Sequence, residues 1–117
     1  MKRIRFALAA AAALLAFVVA APATAATKLT ATVGPGAMIT LKKAGKKVTS
    51  LPAGAYTITV QDKSGFHNFS LSGPGLKKST TVGFVGVRTW NVTLRKGRYR
   101  YECVPHASSM RGSVTVK

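Results

Sequence analysis

The sequence predicts an all-β domain of sandwich or barrel type, and three observations agree on it. Apolar and polar residues alternate in short runs, turn-forming residues interrupt those runs about every eight to twelve positions, and no helical period is sustained. Lys28 to Val33 ends at Gly34-Pro35-Gly36, and Met38 to Leu41 ends in a basic turn from Lys42 to Lys47. In Tyr56-Thr57-Ile58-Thr59-Val60-Gln61, Tyr56, Ile58 and Val60 face the core and the other three face away. Asp62-Lys63-Ser64-Gly65 forms the next turn. A further strand begins around Phe66, runs through His67 to Ser72 and closes at Gly73-Pro74-Gly75, aiming His67, Phe69 and Leu71 inward. Thr89 to Leu94 alternates with Trp90, Val92 and Leu94 inward, and Lys96-Gly97 turns the chain into Arg98 to Cys103, where Tyr99, Tyr101 and Cys103 share the inward face. A loop from Val104 to Arg111 leads to the last strand, Gly112 to Lys117. Phe66, Phe69, Phe84, Trp90, Tyr99 and Tyr101 are expected in the core.

The first 25 residues differ in character. Met1-Lys2-Arg3-Ile4-Arg5 is basic, Phe6 to Ala21 is apolar, and Pro22-Ala23-Thr24-Ala25-Ala26 offers an Ala-x-Ala cleavage site, the pattern of a secretory signal peptide cleaved after Ala25. The 16 apolar residues fall short of the roughly 20 that span a bilayer. Cleavage leaves one domain, residues 26–117, exported to a periplasmic or extracellular location and expected to be a monomer. Its 92 residues suffice for one core and not for two. Cys103 is the only cysteine, so the domain has no internal disulfide.

Three of the 18 basic residues lie in the leader, leaving 15 against Asp62 and Glu102, a net charge of +13 on the mature chain. That field favours anionic partners. With Asp62 in a turn and Glu102 on the outward side of a strand, the paired-carboxylate chemistry of most hydrolases cannot be assembled.

The segment Cys103-Val104-Pro105-His106-Ala107-Ser108-Ser109-Met110 puts a thiol, an imidazole and a thioether on one interstrand loop, and His67 supplies a second imidazole. Each has a plainer reading. His67 suits a satisfied core histidine, Cys103 a buried structural thiol, Met110 a gap-filling core residue and His106 a solvated loop residue. Their coincidence favours a metal centre, because two His and one Cys with a weak axial Met form the ligand set of blue copper electron-transfer sites. Zinc also takes Cys and His, but has little need of a thioether.

Cys-x-x-His followed closely by Met, with His-Asn upstream, resembles the plastocyanin, pseudoazurin and amicyanin group of cupredoxins. The resemblance implies a Greek-key β-sandwich holding one mononuclear type 1 copper ion, with His67, Cys103 and His106 as equatorial ligands and Met110 axial. It also implies that Asn68 hydrogen-bonds across to the Cys-bearing loop and steadies the thiolate. Three residues separate His106 from Met110, one fewer than in plastocyanins and one more than in amicyanins, a departure that bears on the axial bond length.

An oxidase or nitrite reductase on this fold needs further histidines, and the chain has only two. The reading is therefore a one-electron carrier and not an enzyme, serving a redox partner with an acidic docking face. The alternatives are a copper-binding or copper-delivery protein and a basic β-sandwich that binds an anionic polymer through such residues as Lys42, Lys43, Lys46, Lys47, Arg98 and Arg100. Export argues against nucleic acid as that polymer.

Overall fold

The structure is a computed structural model that describes residues 11–17 and 25–117. The leader reading falls largely on residues outside the described ones. The strands are β1 (Thr27–Val33), β2 (Ile39–Lys43), β3 (Lys46–Lys47), β4 (Ser50–Leu51), β5 (Gly54–Asp62), β6 (Ser70–Gly73), β7 (Leu76–Ser79), β8 (Gly86–Leu94), β9 (Gly97–Glu102) and β10 (Arg111–Val116). They form two five-stranded sheets, ordered β3-β2-β1-β5-β8 and β4-β10-β9-β6-β7. The pairs β1 with β5 and β4 with β10 are parallel and the others antiparallel. Among the described residues the chain is an all-β sandwich, as its alternation predicts.

Period-2 patterning accounts for the core. Leu29, Ala31 and Val33 of β1, Tyr56, Ile58 and Val60 of β5, and Val92 and Leu94 of β8 are buried on the first sheet. Leu71, Tyr99, Tyr101, Val114 and Val116 are their counterparts on the second. Full burial of a large apolar side chain is worth about 1.5–3 kcal/mol, so each of these strands carries its own share of the stabilisation. Phe69 stacks on Tyr101 with ring centroids 5.6 Å apart and lies 6.1 Å from the half-buried Trp90. Gly112 pairs with Tyr101 across β9 and β10, and the Tyr101 ring occupies the space that a Cβ at Gly112 would need. Only glycine fits there.

The basic segment expected to be a turn is a hairpin. Lys42 pairs with Lys47 and Lys43 with Lys46, and Ala44 and Gly45, both at positive φ, make the tight connection. Four exposed lysines on this edge discourage pairing with another sheet.

Three details depart from the sequence reading. Phe66 is 82 % exposed and Phe84 is half-buried outside the core cluster, instead of lying in the core. The strand expected from His67 starts only at Ser70, because side chains replace the ladder before it: the Phe69 N–H donates to Thr80 Oγ1 at 2.9 Å. Asp62 is buried, only 2 % exposed, as the last residue of β5. Its Oδ1 accepts the Ser64 N–H at 3.0 Å, and its Oδ2 has no hydrogen-bond partner.

Burial pushes the Asp62 carboxyl above its ordinary range, against the opposing pull of the Ser64 N–H and of His67. The folded protein therefore holds this proton more tightly than the unfolded chain does. Stability falls as pH rises from the unfolded carboxylate pKa, about 3.9, through the raised folded value. Asp62→Asn cannot ionise, so its melting temperature relative to wild type should climb with pH across that window in metal-free protein. An offset that is constant with pH would show that Asp62 does not titrate differently on folding.

Candidate metal centre

Two chain segments meet at one end of the sandwich. The first is the turn after β5, where the Asp62–Ser64 bond, the Phe66 N–H to Ser64 Oγ bond (3.2 Å) and the His67 N–H to Ser64 O bond (3.3 Å) deliver His67 to a fixed place. Gly34 packs against it. Its φ is +73°, and a Cβ there would lie 3.0 Å from Ser64 Cβ and 3.4 Å from His67 Cδ2.

The second segment joins β9 to β10. Cys103 follows β9 directly, and its position extends the inward face of Tyr99 and Tyr101, which leaves the thiol wholly buried. Pro105 fits the first turn of a short 3₁₀ helix, Val104–His106, in which the His106 N–H donates to Cys103 O at 3.0 Å. The Met110 N–H donates to His106 O at 2.8 Å, and the Cys103 N–H donates to Met110 O at 3.0 Å, cinching the loop at its base. Met110 enters β10 with its side chain buried.

The donor atoms converge. His67 Nδ1 and His106 Nδ1 are 3.1 Å apart, and Cys103 Sγ lies 3.6 Å from the first and 3.5 Å from the second. A point equidistant from all three lies about 2 Å from each, close to the length of a metal–imidazole bond. One soft thiolate and two imidazoles facing a single point fit copper well, and the buried thioether of Met110 belongs to the same loop. His67 is 8 % exposed, whereas His106 opens to solvent.

Residues 39–117 match the copper-binding proteins of the plastocyanin/azurin family. The chain belongs to that family. It is a cupredoxin, a type 1 copper protein of the electron-transfer kind and not an enzyme. The His143Met variant of rusticyanin is similar at 25 % identity and a TM-score of 0.58, over 77 % of this chain and 76 % of that one. Rusticyanin from Thiobacillus ferrooxidans is similar at 24 % identity and a TM-score of 0.57 over the same shares. Dithionite-reduced auracyanin from Roseiflexus castenholzii shares the fold at 20 % identity and a TM-score of 0.54, over 80 % of this chain and 99 % of that one. A comparison with curated protein sequences finds no relative.

In this cupredoxin Asn68 ties the two segments together. Its backbone N–H points at Cys103 Sγ (3.5 Å), its Oδ1 accepts the Val104 N–H (2.7 Å), and its Nδ2 donates to Thr80 O (3.1 Å). Thr80 completes the frame by donating its N–H to Phe69 O at 3.0 Å while its hydroxyl accepts the Phe69 N–H. The sequence marks neither Thr80 nor Asp62 as part of this frame. Nothing in the run Leu76 to Thr80 marks its last residue as buried, and Asp62 reads as an ordinary turn residue. Asn68→Ala strips Thr80 O, which is buried, and the part-buried Val104 N–H of their partners, and a buried group left unsatisfied costs about 1–3 kcal/mol. Denaturant unfolding should register that loss in metal-free protein as well as in the copper form, since the bonds are within the chain. A loss confined to the copper form would make Asn68 a partner of the metal alone.

Proposed function

We propose that this cupredoxin is a one-electron carrier between redox partners outside the cytoplasmic membrane, with His67, Cys103 and His106 as equatorial ligands of one copper ion and Met110 as the axial ligand. The observation that carries the reading is the mutual spacing of the three donors within a hydrogen-bonded frame. Bound copper supplies a one-electron couple. The chain's part is to hold the donors in a single arrangement for both oxidation states, so that little reorganisation accompanies transfer. Asn68 keeps an N–H directed at the thiolate and anchors Val104, next to the ligand.

Access supports a carrier over a copper-delivery protein. Cys103 and Met110 are buried and His67 nearly so, which hinders handing over a metal, whereas the exposed His106 ring offers an edge to a partner. Phe66, Val104, Met38 and Val85 are exposed apolar residues near the two segments. Gly65, beside Phe66, lies within 3.8 Å of Val85. These residues suit close, dry contact. No described helix is long and apolar enough to cross a membrane. The basic-then-apolar leader of residues 1–25 supports export and a mature domain of residues 26–117.

Adding Cu(II) to the mature protein should give the intense blue of a copper–thiolate bond, and Cys103→Ser should abolish it while leaving a folded β domain by circular dichroism. A Cys103→Ser protein that stays blue removes Cys103 from the site. Met110→Gln replaces a soft thioether with a harder oxygen donor that favours Cu(II). Voltammetry should find copper retained at a lower reduction potential, and an unchanged potential would leave a three-ligand site.

The charge of +13 on the mature chain supports a partner with an acidic docking face. Screening shortens the Debye length from about 10 Å at 0.1 M salt to about 3 Å at 1 M. The bimolecular electron-transfer rate with the physiological partner should therefore fall with added salt. A flat or rising rate refutes acidic docking.

A further inference from the structure

Strand parity and register gather three arginines on the outer face of the second sheet. On β9, Arg98 and Arg100 alternate with the buried Tyr99 and Tyr101, and on β10 Arg111 and Ser113 alternate with Gly112 and Val114. The register sets Arg100 opposite Ser113 and Arg111 opposite Glu102. Arg100 and Arg111 are thus diagonal neighbours, about 7–8 Å apart at the backbone. Together these side chains line a groove of about 360 Å³. Lys77 extends the row, since Ser72 pairs with both Lys77 and Arg100.

Like charges on neighbouring strands repel, and three guanidinium groups face a single carboxylate, Glu102, leaving an excess of two positive charges in the groove. Lysines would serve solubility equally well. Arginine differs in presenting planar forks of N–H donors that match oxyanion geometry two bonds at a time. One fork is already oriented, because Arg98 Nη2 donates to Ser113 Oγ at 3.3 Å. The groove therefore offers convergent donors around a volume that holds a phosphate group together with part of whatever carries it.

We propose that the groove formed by Arg98, Arg100, Arg111 and Ser113 is a binding site for a dianionic oxyanion of the phosphate type, either free or as a head group. The site is separate from the electron-transfer reading and stands without it. Excess charge of two in the groove is neutralised by one dianion.

The test uses the copper-loaded protein in its reduced, diamagnetic form, titrated with inorganic phosphate near pH 7.5 at constant ionic strength and followed through amide NMR shifts. Saturable shifts confined to Arg98–Glu102 and Arg111–Ser113, absent with chloride, are expected. R100Q/R111Q should weaken the apparent affinity about ten-fold or more, whereas K42Q/K46Q, which removes as much charge from the lysine hairpin, should leave it within about two-fold. Both pairs are exposed on the folded surface, and circular dichroism checks that each variant folds. Shifts that chloride reproduces, or equal losses in the two variants, would reduce the effect to general screening and overturn the site. A second arm uses phosphatidylcholine vesicles doped with phosphatidic acid. Retention that phosphate displaces and R100Q/R111Q loses identifies a lipid head group as the source. Saturable phosphate binding without vesicle retention identifies a free oxyanion. Retention lost by K42Q/K46Q and kept by R100Q/R111Q overturns the assignment.

Discussion

The metal end of this molecule depends on the buried carboxamide of Asn68. Neither segment that bears proposed ligands is held there by a strand ladder: His67 to Phe69 precede β6, and Val104 to His106 follow β9. Without a ladder, buried backbone groups need other partners, and Asn68 supplies them by accepting from Val104 and donating to Thr80 while its own N–H turns to the Cys103 sulfur. Its side-chain oxygen, its side-chain nitrogen and its backbone N–H are all engaged in one geometry. Buried networks of this kind fix a conformation because every alternative leaves a group unpaired, and here the conformation fixed is the spacing of the donors.

The sequence announces the sandwich through parity alone. Tyr56, Ile58 and Val60, or Tyr99, Tyr101 and Cys103, fall on one face at any register that keeps the strand extended, so their burial needs no tertiary knowledge. The donor set is legible for a related reason, since Cys103, His106 and Met110 sit on one loop and the His67–Asn68 pair stands alone upstream. What parity cannot convey is where the ladder stops. Between Phe66 and Phe69 the chain leaves the sheet, and alternation no longer sorts inside from outside: Asn68 and Phe69 are both buried, while Phe66, two positions before Asn68, faces solvent. Thr80 is illegible because its partners, Asn68 and Phe69, lie 12 and 11 residues back, and Asp62 because its bond to Ser64, two residues on, is one that any exposed turn aspartate makes.

Charge is distributed in the same economical way. Both carboxylates have specific neighbours, Asp62 in the turn that delivers His67 and Glu102 opposite Arg111, which leaves the remaining surface almost uniformly basic. A uniformly basic surface attracts anions without choosing among them, so discrimination has to come from local geometry. The lysine hairpin carries its charge on flexible stems at an edge strand, where orientation is lost. The β9–β10 groove carries guanidinium groups on the paired centre of a sheet, where the backbone fixes their relative places.

Burial of the donors and exposure of His106 are two sides of one constraint. A metal that is to keep the same ligands in two oxidation states must be shielded from water, which would otherwise enter as a further ligand in one state and be expelled in the other. Full enclosure, however, would put a protein wall between the metal and any partner. The chain meets both demands by placing three of the four proposed ligands behind the core and letting one ring edge form part of the surface. The loop geometry makes this possible: Cys103 is held inward by the strand it directly follows and Met110 by the strand it directly precedes, so the residues between them bulge outward. His106 lies on that bulge, turned back to the centre by its hydrogen bond to Cys103 O, and its exposure follows from the loop that lets the other two ligands be buried.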